Sequence, residues 1–94
     1  MTKADIVSEI SRNTGIDKAT VLTTVENFME TVMNSMKSGN NVYLRGFGSF
    51  VVKKRAAKAA RDIQNDVTII IPERYVPTFK PSHQFAEDLK NKLK

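Results

Sequence analysis

The chain has 94 residues and a mass of 10.6 kDa, enough for one hydrophobic core and no second. With 40% hydrophobic and 27% charged residues it has a globular composition, which excludes a disordered or low-complexity protein. No apolar run approaches the roughly eighteen residues of a membrane span. Cysteine is absent, so disulfide, thiol and cysteine-ligated zinc chemistry drop out and a cytoplasmic setting is expected.

The opening Met-Thr-Lys-Ala-Asp carries charge in place of the apolar stretch of a secretory signal. Thr2-Lys3-Ala4-Asp5 has the spacing of a capping box, in which hydroxyl and carboxylate satisfy orphan amides at a helix start. Ile6, Val7 and Ile10 follow at helical spacing, and Gly15 is placed to end that helix in a left-handed conformation. Asp17 offers a second N-cap. From there Val21, Leu22, Val25, Phe28, Met29, Val32, Met33 and Met36 form one apolar stripe until Gly39, predicting a helix of about twenty residues, roughly 30 Å long. One short first helix cannot cover so broad a stripe, and a domain this small is marginal alone. A homodimer is therefore expected, with Leu22, Val25, Phe28, Met29, Val32 and Met36 at the interface or in the core. A monomer core with the sheet as lid is the alternative.

After Gly39 the period becomes extended. Asn40-Asn41 is a turn signal, Val42 to Arg45 reads as a strand, Gly46-Phe47-Gly48 as a tight connection, and Ser49 to Val52 as a second strand. Val67 to Ile71 has strong β-propensity and ends at Pro72. Arg74 to Phe79 is another extended piece, and Ser82 caps a last helix carrying Phe85, Leu89 and Leu93. The segment 54–61 is ambiguous on physical grounds. Its alanines and basic residues favour a helix with Lys54, Lys58 and Arg61 on one face. A long hairpin, with strand 50–60, a tip near Asp62 to Asp66 and a return strand 67–71, is the competing reading.

Charge is unevenly spread. Residues 1–50 hold five bases and five acids, whereas residues 51–94 hold ten bases and five acids, which places the whole net +5 in the second half. Lys53, Lys54, Arg55, Lys58 and Arg61 fall within nine residues that contain no acid. Such a cluster is either a solvated face or the seat of an anionic partner, and a nucleic-acid backbone is the commonest one. Catalysis is not expected. No serine sits in a nucleophile-elbow setting, the acids are scattered, and the glycines at 46 and 48 lack the remainder of a phosphate-cradling loop. The lone His83 reads as incidental rather than as a metal ligand, and no metal, cofactor or small-molecule substrate is implied.

Arg45-Gly46-Phe47-Gly48-Ser49-Phe50, Lys54-Arg55-Ala56-Ala57 and Pro77-Thr78-Phe79-Lys80-Pro81 resemble the HU and integration-host-factor family of bacterial DNA-architectural proteins. The similarity covers nearly the whole chain. It implies an α+β fold built as an intertwined dimer: a two-helix base over 1–39, a three-stranded antiparallel sheet over 40–81 extended into a β-ribbon arm at about 53–74, and a short C-terminal helix over 82–94, all one domain. This decides the ambiguous segment in favour of the arm. It further implies double-stranded DNA as partner, gripped through the minor groove and bent largely without regard to sequence, in the bacterial nucleoid. A second copy, or a paralogous subunit, completes the dimer, and no membrane is involved.

The contacts that the resemblance implies are Lys53, Arg55, Lys58, Arg61, Ile63 and Gln64 on the arm, with Lys3, Arg45, Gly46, Gly48, Arg74 and Lys80 flanking it. Phe47, Phe50 and Phe79 match positions that pack sheet against helices. Three features depart from the family pattern. Ile63 stands at the wedge position where a proline kinks the duplex, Asp62 replaces an uncharged residue, and Asp66 replaces the usual turn glycine. Isoleucine is among the apolar residues able to wedge between bases, whereas acids near phosphate weaken binding. The rival readings are an integration-host-factor-like subunit reading one site, a helix-turn-helix repressor over 3–38, an RNA-binding ribosome-associated protein, and a protein–protein scaffold. Against the helix-turn-helix stands the second helix, which lacks a basic recognition face.

Overall fold

The computed structural model describes residues 1–62 and 64–93, with the side chain of Asp62 also outside the description. Two compact units emerge, residues 1–35 and 36–94. In the first, helix α1 (Lys3–Thr14) starts with the anticipated capping box: the Thr2 amide donates to Asp5 Oδ2 at 2.9 Å and the Asp5 amide donates to Thr2 Oγ1 at 3.4 Å. The Thr2 amide foremost, and then the Thr2 hydroxyl donating to Asp5 Oδ2 at 3.0 Å, hold the Asp5 carboxyl below its ordinary range. Gly15 closes α1 at φ 77°, its amide donating to the Ser11 carbonyl, a conformation that favours glycine.

Helix α2 (Lys18–Lys37) begins on Asp17, whose Oδ1 accepts from the Thr20 hydroxyl at 2.7 Å and whose Oδ2 accepts from the Thr20 amide at 3.0 Å. The hydroxyl bond leads in lowering the Asp17 carboxyl below its usual range. Val7 on α1 and Val21 and Val32 on α2 are buried. Of the rest of the stripe, Val25 and Met36 are half-buried and Leu22, Phe28, Met29 and Met33 are exposed in the single chain.

The second unit holds a sheet in the order β1-β2-β5, built from β1 (Val42–Leu44), β2 (Gly48–Arg55) and β5 (Arg74–Pro81), all antiparallel. Gly46 at φ 84° makes the turn between β1 and β2, and the Phe47 amide donates to the Leu44 carbonyl. Beyond the short β1, the Val52 amide of β2 is satisfied by Asn41 Oδ1 at 2.9 Å. Strands β3 (Lys58–Asp62) and β4 (Val67–Ile71) form a separate two-stranded sheet.

Phe47, Phe50, Phe79 and Phe85 assemble where β2, β5 and the last helix, α3 (His83–Lys92), meet. Ring centroids are 4.9 Å apart for Phe50–Phe79, 5.1 Å for Phe47–Phe79 and 6.0 Å for Phe47–Phe85. Such pairs contribute about 0.5–1.5 kcal/mol each beyond their area. Gly48 is buried in this cluster: a β-carbon there would lie 2.5 Å from the Lys80 carbonyl oxygen and 2.6 Å from Phe79 Cζ. Ser82 caps α3, accepting from the Phe85 amide at 3.1 Å while its hydroxyl donates to the Gly46 carbonyl at 3.0 Å.

The expected elements stand, with two shifts. The strand expected over 50–60 is interrupted at Ala56-Ala57, opposite Pro72-Glu73. Pro72 has no amide to donate, so the ladder lapses there. The strand expected over Arg74 to Phe79 runs on to Pro81, an edge position where a proline is tolerated.

Candidate nucleic-acid interface

Register fixes what the basic segment presents. In the sheet Arg55 lies opposite Arg74, and in the ribbon Lys58 lies opposite Ile71. Three steps forward on one strand match three steps back on the other, so one long hairpin keeps its register across the break. Side chains alternate faces along a strand. Lys53 and Arg55 therefore share a face that Lys54 does not, and Lys58 and Arg61 project from opposite faces of the ribbon. A helix would have gathered Lys54, Lys58 and Arg61 on one side; the hairpin distributes them around its whole girth.

The acids are placed to answer some of these bases. Lys54 Nζ lies 3.1 Å from Glu73 Oε1, and Arg61 pairs with Asp66. Lys54 faces Tyr75 and Arg61 faces Thr68. Each acid thus sits two residues before the partner of its base, the diagonal neighbour in an antiparallel pair. Asp66 adopts φ 51° in the tip turn, a left-handed conformation that Asp tolerates better than most residues. Outside the arm, Lys3 Nζ bonds Glu26 Oε2 at 3.0 Å, with both side chains about half exposed.

The other anticipated contacts are placed as follows. Arg45 and Gly46 are exposed in the β1–β2 turn, Lys80 is exposed near the end of β5, and Gln64 is exposed in the tip turn. Gly48 is buried, and its lack of a side chain has a packing reason. Ile63, with the Asp62 side chain and Lys94, lies outside the described residues. Phe50 is half-buried, while Phe47 and Phe79 keep exposed edges in the aromatic cluster. Glu73 was not singled out from the sequence. Once 54 is paired with 75, the diagonal rule points to it.

Among the described residues no group of three His, Asp or Glu is placed to hold a metal ion, and no helix is long and apolar enough to cross a membrane. The family model described as bacterial DNA-binding protein matches residues 1–90. The chain belongs to that family. DNA-binding protein HU of Thermotoga maritima is 36% identical over 90 residues, covering 96% of this chain and all of the relative. The integration host factor β subunit of Marinobacter nauticus is 32% identical over 95 residues, covering all of this chain and 97% of the relative. In three dimensions the fold matches HU in an HU–DNA cocrystal structure from Anabaena, with a TM-score of 0.88 and 28% identity over 95% of this chain and 97% of that one. The HU-type α+β fold follows: two opening helices, an antiparallel sheet with a two-stranded arm, and a closing helix.

Proposed function

We propose that this protein is an architectural DNA-binding protein, not an enzyme, that acts as a homodimer in the bacterial nucleoid to bend and compact duplex DNA largely without regard to sequence. The observation that carries this reading is the arm. A narrow two-stranded ribbon presents Lys53, Arg55, Lys58 and Arg61 on both faces, with only alanines between Arg55, Lys58 and Arg61, and so fits a minor groove about 6 Å wide. Phosphate neutralisation releases condensed counterions, and the duplex bends because bent DNA meets more of the basic surface. Lys3, Arg45, Gly46, Arg74 and Lys80 are the flanking contacts, with Gln64 beside the tip and the Gly48 region beneath the β1–β2 turn. Ile63 is the wedge between base pairs.

Fluorescence anisotropy on random linear and nicked duplexes, titrated at several salt concentrations with duplex RNA as competitor, tests this. Tight, steeply salt-dependent binding that favours the nicked DNA is expected, because a nick lowers the cost of a kink. Binding confined to a single sequence points instead to an integration-host-factor-like subunit, and salt-insensitive or absent binding removes the DNA reading. In ring closure of short fragments, Ile63→Ala is expected to reduce cyclisation without dissociating the dimer. Unchanged cyclisation removes the wedge.

A further inference from the structure

Ion pairing along the arm is selective. Lys54 and Arg61 each have an acid on the diagonal, Glu73 and Asp66. The same diagonal from Lys53 leads to Arg74, from Arg55 to Pro72, and from Lys58 to Ile69. Lys53, Arg55, Lys58 and Arg74 consequently have no ion pair among the described residues. Arg55 and Arg74 are moreover directly opposite each other in the β2–β5 ladder. Like charges in register destabilise a sheet. Among the described residues no acid forms an ion pair with either arginine.

Three of these four, Arg55, Lys58 and Arg74, line an open cleft of about 410 Å³ at the root of the arm, together with Ala56, Val76, Pro77 and Thr78. No acid lines the cleft. Ala56, where the ladder lapses, contributes no more than a methyl group to its wall. Two guanidinium forks held on adjacent strands suit the oxygens of one tetrahedral anion, since each fork donates two parallel N–H bonds.

We propose that the arm root is a preformed site for a single phosphate group, in which Arg55 and Arg74 act as one unit and Lys58 closes the third side. This rests on the DNA-binding reading for its natural occupant, a phosphodiester of the duplex, but the chemistry accepts inorganic phosphate equally. The anion removes the repulsion between the arginines and so steadies the pairing of β2 with β5 beside the break at Ala56-Ala57.

The salt dependence of duplex binding separates one shared phosphate from two. For Arg55→Gln and Arg74→Gln singly, the slope of log affinity against log salt is expected to stay near that of the unaltered protein, because the remaining arginine still neutralises the phosphate. The double variant is expected to lose about 0.9 of slope per arm, about 1.8 for the dimer, so that its affinity falls about 12-fold less between 50 and 200 mM salt. A loss of about 0.9 per arm in each single variant and about 1.8 per arm in the double means two independent contacts and overturns the proposal, as does no change in any variant. In parallel, inorganic phosphate is titrated into the ¹⁵N-labelled protein. Saturable shifts at the amides of Arg55, Ala56, Lys58 and Arg74, abolished in the double variant, support the site; their absence overturns it. If the unaltered protein fails to bind duplex, the functional reading falls and the phosphate titration alone decides the site.

Discussion

Ser82 ties the start of α3 to the β1–β2 turn through its hydroxyl and its backbone amide. Its oxygen accepts the Phe85 amide at the start of α3, its proton goes to the Gly46 carbonyl in the β1–β2 turn, and its amide donates to the Phe47 carbonyl. Losing an N-cap hydroxyl costs about 1 kcal/mol. The Gly46 carbonyl loses a partner too, but it is exposed and water replaces the bond at small cost. Ser82→Ala is therefore expected to destabilise the fold by about 1–2 kcal/mol in denaturant unfolding, and Ser82→Thr by less. A loss below about 0.3 kcal/mol means that the cap does not hold α3 against the sheet. The carbonyl that this bond engages lies in the turn of Arg45 and Gly46, two of the flanking contacts proposed above.

At the level of elements, the arm is where local preference and final structure disagree. Ala56, Ala57, Ala59 and Ala60 each favour a helix by no more than about 0.7 kcal/mol over ordinary residues, which sums to about 2–3 kcal/mol. Against this stand five cross-strand pairs with the β-branched strand Val67–Ile71, at about 0.2–1 kcal/mol each, and their ladder hydrogen bonds at about 1 kcal/mol each. Pairing wins. That term depends on residues some ten positions away, so a local reading of 54–61 could not decide it and the family resemblance did.

Caps were legible, because Thr2, Asp17 and Ser82 act on amides within three residues. The break at Ala56-Ala57 and the diagonal acids were not, because they follow only from register. Asp66 is the element-scale test. It occupies the left-handed tip conformation and engages Arg61, so the ribbon tip is self-neutralised before any duplex arrives. Asn tolerates the same conformation without the charge. Asp66→Asn is expected to tighten duplex binding and steepen the salt slope by about 0.9 per arm as Arg61 becomes available. An unchanged slope means that this exposed pair already yields to phosphate at no cost, as many surface pairs do.

Across the whole molecule the apolar surface exceeds what the single chain buries. On α2, Leu22, Phe28, Met29 and Met33 retain 37%, 46%, 40% and 53% of their exposure. Full burial of such a side chain gains about 1.5–3 kcal/mol, so covering the exposed remainder gains about 1 kcal/mol each, or about 8 kcal/mol for both chains of a symmetric dimer. Association costs about 4–15 kcal/mol in lost translational and rotational freedom. The α2 stripe alone therefore only about breaks even. A tight dimer also needs the second apolar surface, formed by Phe79, Phe85, Leu89 and Leu93 around a groove between β5 and α3. Both surfaces are predicted to enter the interface. Sedimentation should give twice the 10.6 kDa chain mass, with a melting temperature that rises with protein concentration. Phe28→Asp and Leu89→Asp should each shift the equilibrium toward monomer by several kcal/mol. If Leu89→Asp leaves the dimer intact while Phe28→Asp dissociates it, α2 alone carries the interface, and the groove beside α3 lies outside it.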